Sequence, residues 1–209
     1  MVYGGCMVKV AVEPSENWLA VFLTRASQMF DRFIPWQRAW AQTRLATRIA
    51  TPVPTSLVVL GQPEIQGTKR LTFGRGVYLY RDLYFETQGA GSISFGDGVV
   101  LARGVTIVAY APVTIGAGVM IGENTIIRTS PRGLEQGGPV RLNDFFAAPI
   151  TIERNVWLGR EVTILAGVSI GAGAIIGDHA VITSDVPAGA TIRAADVMHE
   201  APTSQRKAA

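Results

Sequence analysis

The sequence predicts an all-β solenoid of stacked three-sided coils, preceded by an N-terminal helical segment. Three observations carry this expectation. From Ile152 onward, Ile152, Leu158, Ile164, Ile170, Ile176 and Ile182 recur at a strict spacing of six, and a second small or branched residue follows each by four: Val156, Val162, Val168, Ala174, Ala180 and Val186. Neither a helical period of 3.6 nor simple alternation produces a six-residue period over so many units. A side made of one short strand and one tight turn does, and three sides close a coil whose aliphatic side chains point inward. The Gly-Arg, Gly-Ala and Gly-Asp steps at Gly159, Gly171 and Gly177 then supply corners where a bulky side chain would hinder the turn. Like coils stack, so their strands pair in parallel.

Upstream the pattern continues with interruptions. Phe95, Leu101 and Ile107 keep the period, "AYAPVT" inserts two residues, and Ile115, Ile121 and Ile127 resume it. Phe73, Leu79 and Phe85 fit more loosely, with Tyr78, Tyr80 and Tyr84 beside them, so the solenoid is expected over 56–190. Between Ile127 and Ile152 the period breaks for a segment rich in Gly, Pro and polar residues, read as a loop extruded over 129–149. Long excursions from a rigid scaffold are usually functional. Outward faces of the prism are expected to carry apolar residues such as Val162, Val181 and Phe146.

Residues 1–55 read differently. Ser15 with Glu16 makes a helix start, Pro35 breaks or kinks the run, and Pro52 and Pro54 end it. The segment mixes Trp18, Phe22, Phe30, Trp36 and Trp40 with Arg25, Arg32, Arg38, Arg44 and Arg48. It is either a cap that shields the open end of the solenoid or an interfacial helix pair making peripheral membrane contact. Residues 191–209 form a polar tail.

Bulk properties exclude several function classes. The 209 residues are 17% charged and 48% hydrophobic, enough apolar surface to offset the entropy of ordering. The single cysteine, Cys6, forms no internal disulfide and points to a reducing compartment. No leader pattern and no apolar run of about 18 residues is visible, so the chain reads as cytoplasmic, at the inner face of the membrane if the N-terminal segment is interfacial. The charge of +3 comes from scattered basic residues with no nucleic-acid motif, so no nucleic-acid partner is expected. Two histidines cannot build a three-histidine zinc site, and no cysteine pair has ligand spacing, so no metal is expected.

The stretch "APITIERNVWLGREVTILAGVSIGAGAIIGDHAVITSDVPAG" resembles the left-handed β-helix acyltransferases of the hexapeptide-repeat family, in particular the maltose, galactoside and polysaccharide O-acetyltransferases. The likeness covers about residues 95–192. It implies a left-handed parallel β-helix, a homotrimer, acetyl-CoA as donor, a sugar or polysaccharide acceptor, and active sites in grooves between neighbouring prisms. Trp157, Gly159, Arg160, Ala166, Gly177, Asp178, Thr183 and Ser184 occupy positions that line the CoA groove in the family. Ser184 stands where many relatives carry a basic residue facing CoA phosphate, a role that Arg193 or Arg160 would have to take.

In that family a Thr-x-His or Thr-His-Pro segment before the loop supplies the general base, an imidazole that takes the acceptor hydroxyl proton. Here "RTSPRG" puts Ser130 at the matching place, and an aliphatic hydroxyl does not take up a proton unaided at neutral pH. His179 sits at a repeat corner. The remaining candidates are His199 in the tail and the loop carboxylates Glu135 and Asp144, if desolvation raises their pKa. Two readings follow: a CoA-dependent O-acyltransferase with a non-standard or absent base, or an inactive trimeric β-helix serving as a binding or assembly module.

Overall fold

In the computed structural model the described residues are 40–49, 51–130 and 147–193. Eighteen short strands wind through five three-stranded coils, a sixth whose third side is the bridge residue Val186, and into a seventh. The first three coils are β1 (Val58–Val59), β2 (Glu64–Gly67) and β3 (Leu71–Phe73); β4 (Tyr78–Leu79), β5 (Tyr84–Thr87) and β6 (Ile93–Phe95); and β7 (Val100–Leu101), β8 (Thr106–Ala109) and β9 (Val113–Ile115). The rest are β10 (Met120–Ile121), β11 (Ile126–Arg128) and β12 (Ile150–Ile152); β13 (Trp157–Leu158), β14 (Thr163–Ile164) and β15 (Ser169–Ile170); β16 (Ile175–Ile176) and β17 (Val181–Ile182); and β18 (Thr191–Ile192). Every third strand pairs in parallel, giving face A (β1-β4-β7-β10-β13-β16-β18), face B (β2-β5-β8-β11-β14-β17) and face C (β3-β6-β9-β12-β15), which Val186 extends by a bridge to Ile170. This is the parallel β-helix of hexapeptide repeats that the spacing predicts.

The six-residue series is the core. Ile152, Leu158, Ile164, Ile170, Ile176 and Ile182 are all buried, as are Phe95, Leu101, Ile107, Ile115, Ile121 and Ile127. Phe73, Leu79 and Phe85 are buried too, so the loosely fitting coils belong to the same prism. There the aromatic rings fill a wider cross-section: Phe73 stacks on Phe95 at 5.0 Å, and Phe85 tilts against Phe95 at 5.7 Å. The widening comes from face B, whose strands β2, β5 and β8 have four residues each against two in β14 and β17. The two residues inserted at "AYAPVT" belong to this longer side.

One expectation is corrected. Val162 belongs to the second inward-facing series and is completely buried, because the residue four after each aliphatic packs inside the corner rather than on an outer face. Val181 is exposed as expected, and Phe146 lies outside the described residues.

The outer faces differ chemically. On face A, Val58, Tyr78, Val100, Met120, Trp157, Ile175 and Thr191 stand in register, and Tyr78, Met120, Trp157 and Ile175 are each at least 40% exposed. On face C the outward row is Thr72, Ser94, Thr114, Thr151 and Ser169, all exposed. Face A thus carries the continuous exposed apolar row, face C a hydroxyl row, and face B adds exposed Ile126 and Val181.

At the N-terminal end, residues 40–46 are helical. Leu45 and Ile49 are buried and join the core together with Leu57, while Gln42 Nε2 donates to the Leu57 carbonyl at the entrance to β1. This stretch therefore covers apolar side chains that the first coil would otherwise expose. The Arg44 guanidinium lies 4.3 Å over the exposed Trp40 ring. Among the described residues no helix is long and apolar enough to cross a membrane. The aromatic and arginine-rich stretch over 1–39 lies outside the described residues.

Candidate functional site

The corners that follow face A form one edge of the prism, here the A–B edge. Their stacking demands glycine: a Cβ on Gly159 would stand 2.4 Å from Asp178 Oδ1 and 2.7 Å from the Asp178 nitrogen, and one on Gly122 would stand 2.3 Å from the Gly159 carbonyl oxygen. Thr125 Oγ1, buried inside the corner, donates to that same carbonyl at 3.1 Å. Gly122 and Gly159 thus owe their identity to close approach of coils. Beside them the Arg160 N–H donates to Asp178 Oδ1 at 2.8 Å, and the Arg160 guanidinium reaches Asp178 Oδ2 at 3.4 Å. The backbone N–H of Arg160, then its positive charge, hold the Asp178 carboxyl below its usual range. Arg75 and Asp97 make a like pair on a different edge, where the chain turns from face C to face A, with the same direction of shift. A lowered carboxylate pKa contributes stability above the unfolded value and loses it as pH falls through the folded one; both pairs are exposed and solvent-screened. His179 lies on the same edge with Nδ1 3.1 Å from Glu161 Oε2.

Next to this edge, face A opens into a cavity of about 330 Å³ lined by Tyr80, Val100, Ala102, Arg103, Met120, Ile121, Gly122, Glu123 and Trp157. Trp157 is 55% exposed and forms its upper wall. An apolar trough with one cation and one carboxylate at its rim suits an elongated ligand with an apolar middle and charged ends.

The opposite edge, between faces B and C, holds the remaining predicted residues. Ser130 is buried at the corner after β11, where the chain leaves the solenoid, and Ala148 returns there by donating its N–H to the Thr129 carbonyl at 3.0 Å. Thr129 fixes the exit: its Oγ1 accepts the N–H groups of Tyr110 at 2.7 Å and Ala111 at 3.1 Å. Ala166 turns the same corner one coil on, its neighbour Gly167 facing Ala148, and Thr183 with Ser184 turns it after β17. A polar cluster not singled out by sequence lies below Ser130. Glu86 accepts hydrogen bonds from Tyr84 Oη at 3.0 Å, Gln88 Nε2 at 3.1 Å and Tyr110 Oη at 3.4 Å. Burial and the bond to Glu86 raise the Tyr84 phenol above its ordinary value, so it stays a donor. In register two coils above Glu86, Arg128 keeps Nε buried with no hydrogen-bond partner among the described residues.

The predicted cofactor residues therefore separate. Trp157, Gly159, Arg160, Gly177, Asp178 and Arg193 line face A and the A–B edge, whereas Ala166, Thr183 and Ser184 share the B–C edge with Ser130. Face B lies between, and the six residues from Arg160 to Ala166 can span at most about 20 Å. Glu135, Asp144 and His199 lie outside the described residues. Among the described residues no cluster of His, Cys, Asp or Glu could hold a metal ion.

Residues 149–184 match the family model described as bacterial transferase hexapeptide (six repeats), the segment that builds β12 to β17 and both edges at Trp157 and Thr183. The chain carries the hexapeptide repeats of this transferase family. It is 30% identical over 181 residues to a probable acetyltransferase of Mycobacterium tuberculosis, covering 80% of this chain and 59% of that one. It is 32% identical over 117 residues to the galactoside O-acetyltransferase of Escherichia coli, 56% of each chain. It thus spans little more than half the length of these curated relatives. An N-acyltransferase from Bacillus cereus, crystallised with dTDP and coenzyme A, shares the fold with a TM-score of 0.57 at 14% identity, over 66% of this chain and 75% of that one.

Proposed function

We propose that this hexapeptide-repeat protein is an acetyl-CoA-dependent O-acyltransferase acting on a sugar or polysaccharide hydroxyl, working as a homotrimer in the reducing cytoplasm. The observation that carries this reading is the separation of the predicted cofactor residues onto two edges of one prism. Face B separates the two edges of one chain, and the B–C edge of one copy set against face A of the next would bring them together across one groove. The exposed apolar row of Tyr78, Met120, Trp157 and Ile175 supports that packing, since association would remove it from water. The acetyltransferase relatives support the chemistry.

Acetyl-CoA would supply an activated acyl thioester. The chain's own residues bind and orient. Trp157 and Met120 offer an apolar wall to a pantetheine arm, and Arg160 and Arg193 are placed for phosphates, with Arg160 first exchanging Asp178 for the ligand at small cost because that pair is solvent-exposed. The B–C edge, at whose corner Ser130 lies, would face the acceptor. Alignment of donor and acceptor contributes several kcal/mol to lowering the barrier even before proton transfer.

Two outcomes are expected. Light scattering at micromolar protein gives about three times the 22.4 kDa chain mass, and a monomer would remove the shared site. Acetyl-CoA raises the melting temperature, with stabilisation of about 2.7 kcal/mol at one hundred times Kd. Trp157→Ala and Arg160→Ala should diminish that shift. The second reading, a binding or assembly module, is favoured by the hydroxyl at Ser130 where an imidazole is expected; it predicts the thermal shift without thiol release from acetyl-CoA in the presence of acceptor.

A further inference from the structure

We propose that Tyr110 and Glu86 form the proton relay that serves as general base here, in place of the imidazole that is missing at the Ser130 position. This rests on the acyltransferase reading and assigns its proton acceptor. Three observations lead to it. The relay lies on the same edge as Ser130: the Tyr110 N–H donates to Thr129 Oγ1, so Tyr110 occupies the coil directly below the Thr129–Ser130 corner. Tyr110 is one of the two residues that widen face B, which carries its phenol outward to Glu86. Glu86 is a carboxylate held on a strand by three donors, one of them Tyr110, and a base whose orientation is fixed by other groups is what proton abstraction requires. The fourth feature of the face is a donor with no hydrogen-bond partner among the described residues: Arg128 Nε, buried two coils above Glu86, or about 10 Å at one strand spacing per coil. A ligand oxygen lying between these groups would satisfy it. A saccharide hydroxyl bears such an oxygen and brings a proton to be removed.

The step balances within these groups. The acceptor oxygen bonds to the thioester carbonyl carbon while its proton passes to the Tyr110 phenol oxygen, and the Tyr110 proton passes to Glu86. The carbon–sulfur bond breaks, and the departing sulfur recovers the proton by the reverse path, leaving ester, thiol and an ionised Glu86. The 3.4 Å separation of Tyr110 and Glu86 is long for a resting hydrogen bond and is expected to shorten when the acceptor is in place. The charged and titratable groups around Glu86 are Tyr84 on its own strand, with Glu64 of β2 in register with that tyrosine, Tyr110, and Arg128 two coils above.

The test compares the full chain with Glu86→Gln, Tyr110→Phe and Glu86→Asp, using acetyl-CoA with p-nitrophenyl galactoside, glucoside and N-acetylglucosaminide as probes. Glu86→Gln and Tyr110→Phe are expected to lower kcat/KM for thiol release by roughly 10²-fold or more. The acetyl-CoA thermal shift should survive in both, and Glu86→Asp should recover part of the rate. If the variants keep the parental rate and pH profile, the relay is overturned and the enzyme reading stands. If the parent shows the thermal shift but releases no thiol with any probe, the relay and the enzyme reading fall together.

Discussion

Phe85→Ala is expected to destabilise the chain by about 3–5 kcal/mol, the range for deleting a buried aromatic ring. Phe85 is completely buried, tilts against Phe95, and stands in register between Ile65 below and Ile107 above. A stacked prism has little freedom to close such a void, because each coil is held by backbone hydrogen bonds to both neighbours: the Tyr84 N–H donates to the Val105 carbonyl, and the Glu64 N–H to the Leu83 carbonyl. Coupling in such an array is nearest-neighbour. The loss therefore falls on the junction between the first coil, its covering helix and the rest. Urea unfolding followed by tryptophan fluorescence should show a lower midpoint, with Trp40 reporting the N-terminal end ahead of Trp157. A loss below about 1 kcal/mol would mean that the ring is not the packing element it appears from its burial.

The inner face of this fold is legible in sequence because one spacing sets it. Every sixth residue from Phe95 to Ile127, apart from the two-residue insertion, and again from Ile152 to Ile182, is a core residue, and the hexad needs no long-range information to be read. The outer faces are harder. Val162 is as apolar as Val181, and only position within the hexad separates a buried corner from an exposed strand. The apolar row on face A joins residues from Tyr78 to Ile175 through coil stacking, so it emerges only once the register of the strands is known. Contacts between coils are likewise invisible in a linear reading: Arg160 and Asp178 are 18 positions apart, Glu86 and Tyr110 are 24 apart. The insertion in "AYAPVT" was the one sequence signal near the relay. It marks where Tyr110 sits but not that its phenol meets a carboxylate. The split of the cofactor residues over two edges could not be read from a motif, since Trp157 to Ser184 is one continuous stretch that winds around the prism.

Ser130→His introduced into the Glu86→Gln protein is expected to restore thiol release, by up to the roughly 10²- to 10⁴-fold that a positioned general base contributes. The resemblance to the acyltransferase family places its imidazole at this corner, and the structure places Ser130 at the exit to the 131–146 excursion, on the edge shared with Tyr110. If the relay supplies the base in the parent, the parent gains little from a second one, whereas the relay-dead protein gains most. The substitution has a packing cost: Ser130 is 4% exposed, and enlarging a well-packed site commonly costs about 1–3 kcal/mol. Melting temperature measured beside the rate separates that cost from chemistry. Orientation limits the gain, because the neighbours of Ser130 were not shaped to hold an imidazole ring and small misplacements reduce rates steeply. The pH profile decides the matter independently of magnitude, since a rescued enzyme must acquire an acid limb near the ordinary histidine range that the Glu86→Gln parent lacks. Rescue with that limb locates the reacting hydroxyl at the B–C edge; a folded, CoA-binding double variant with no recovery moves the reaction away from Ser130.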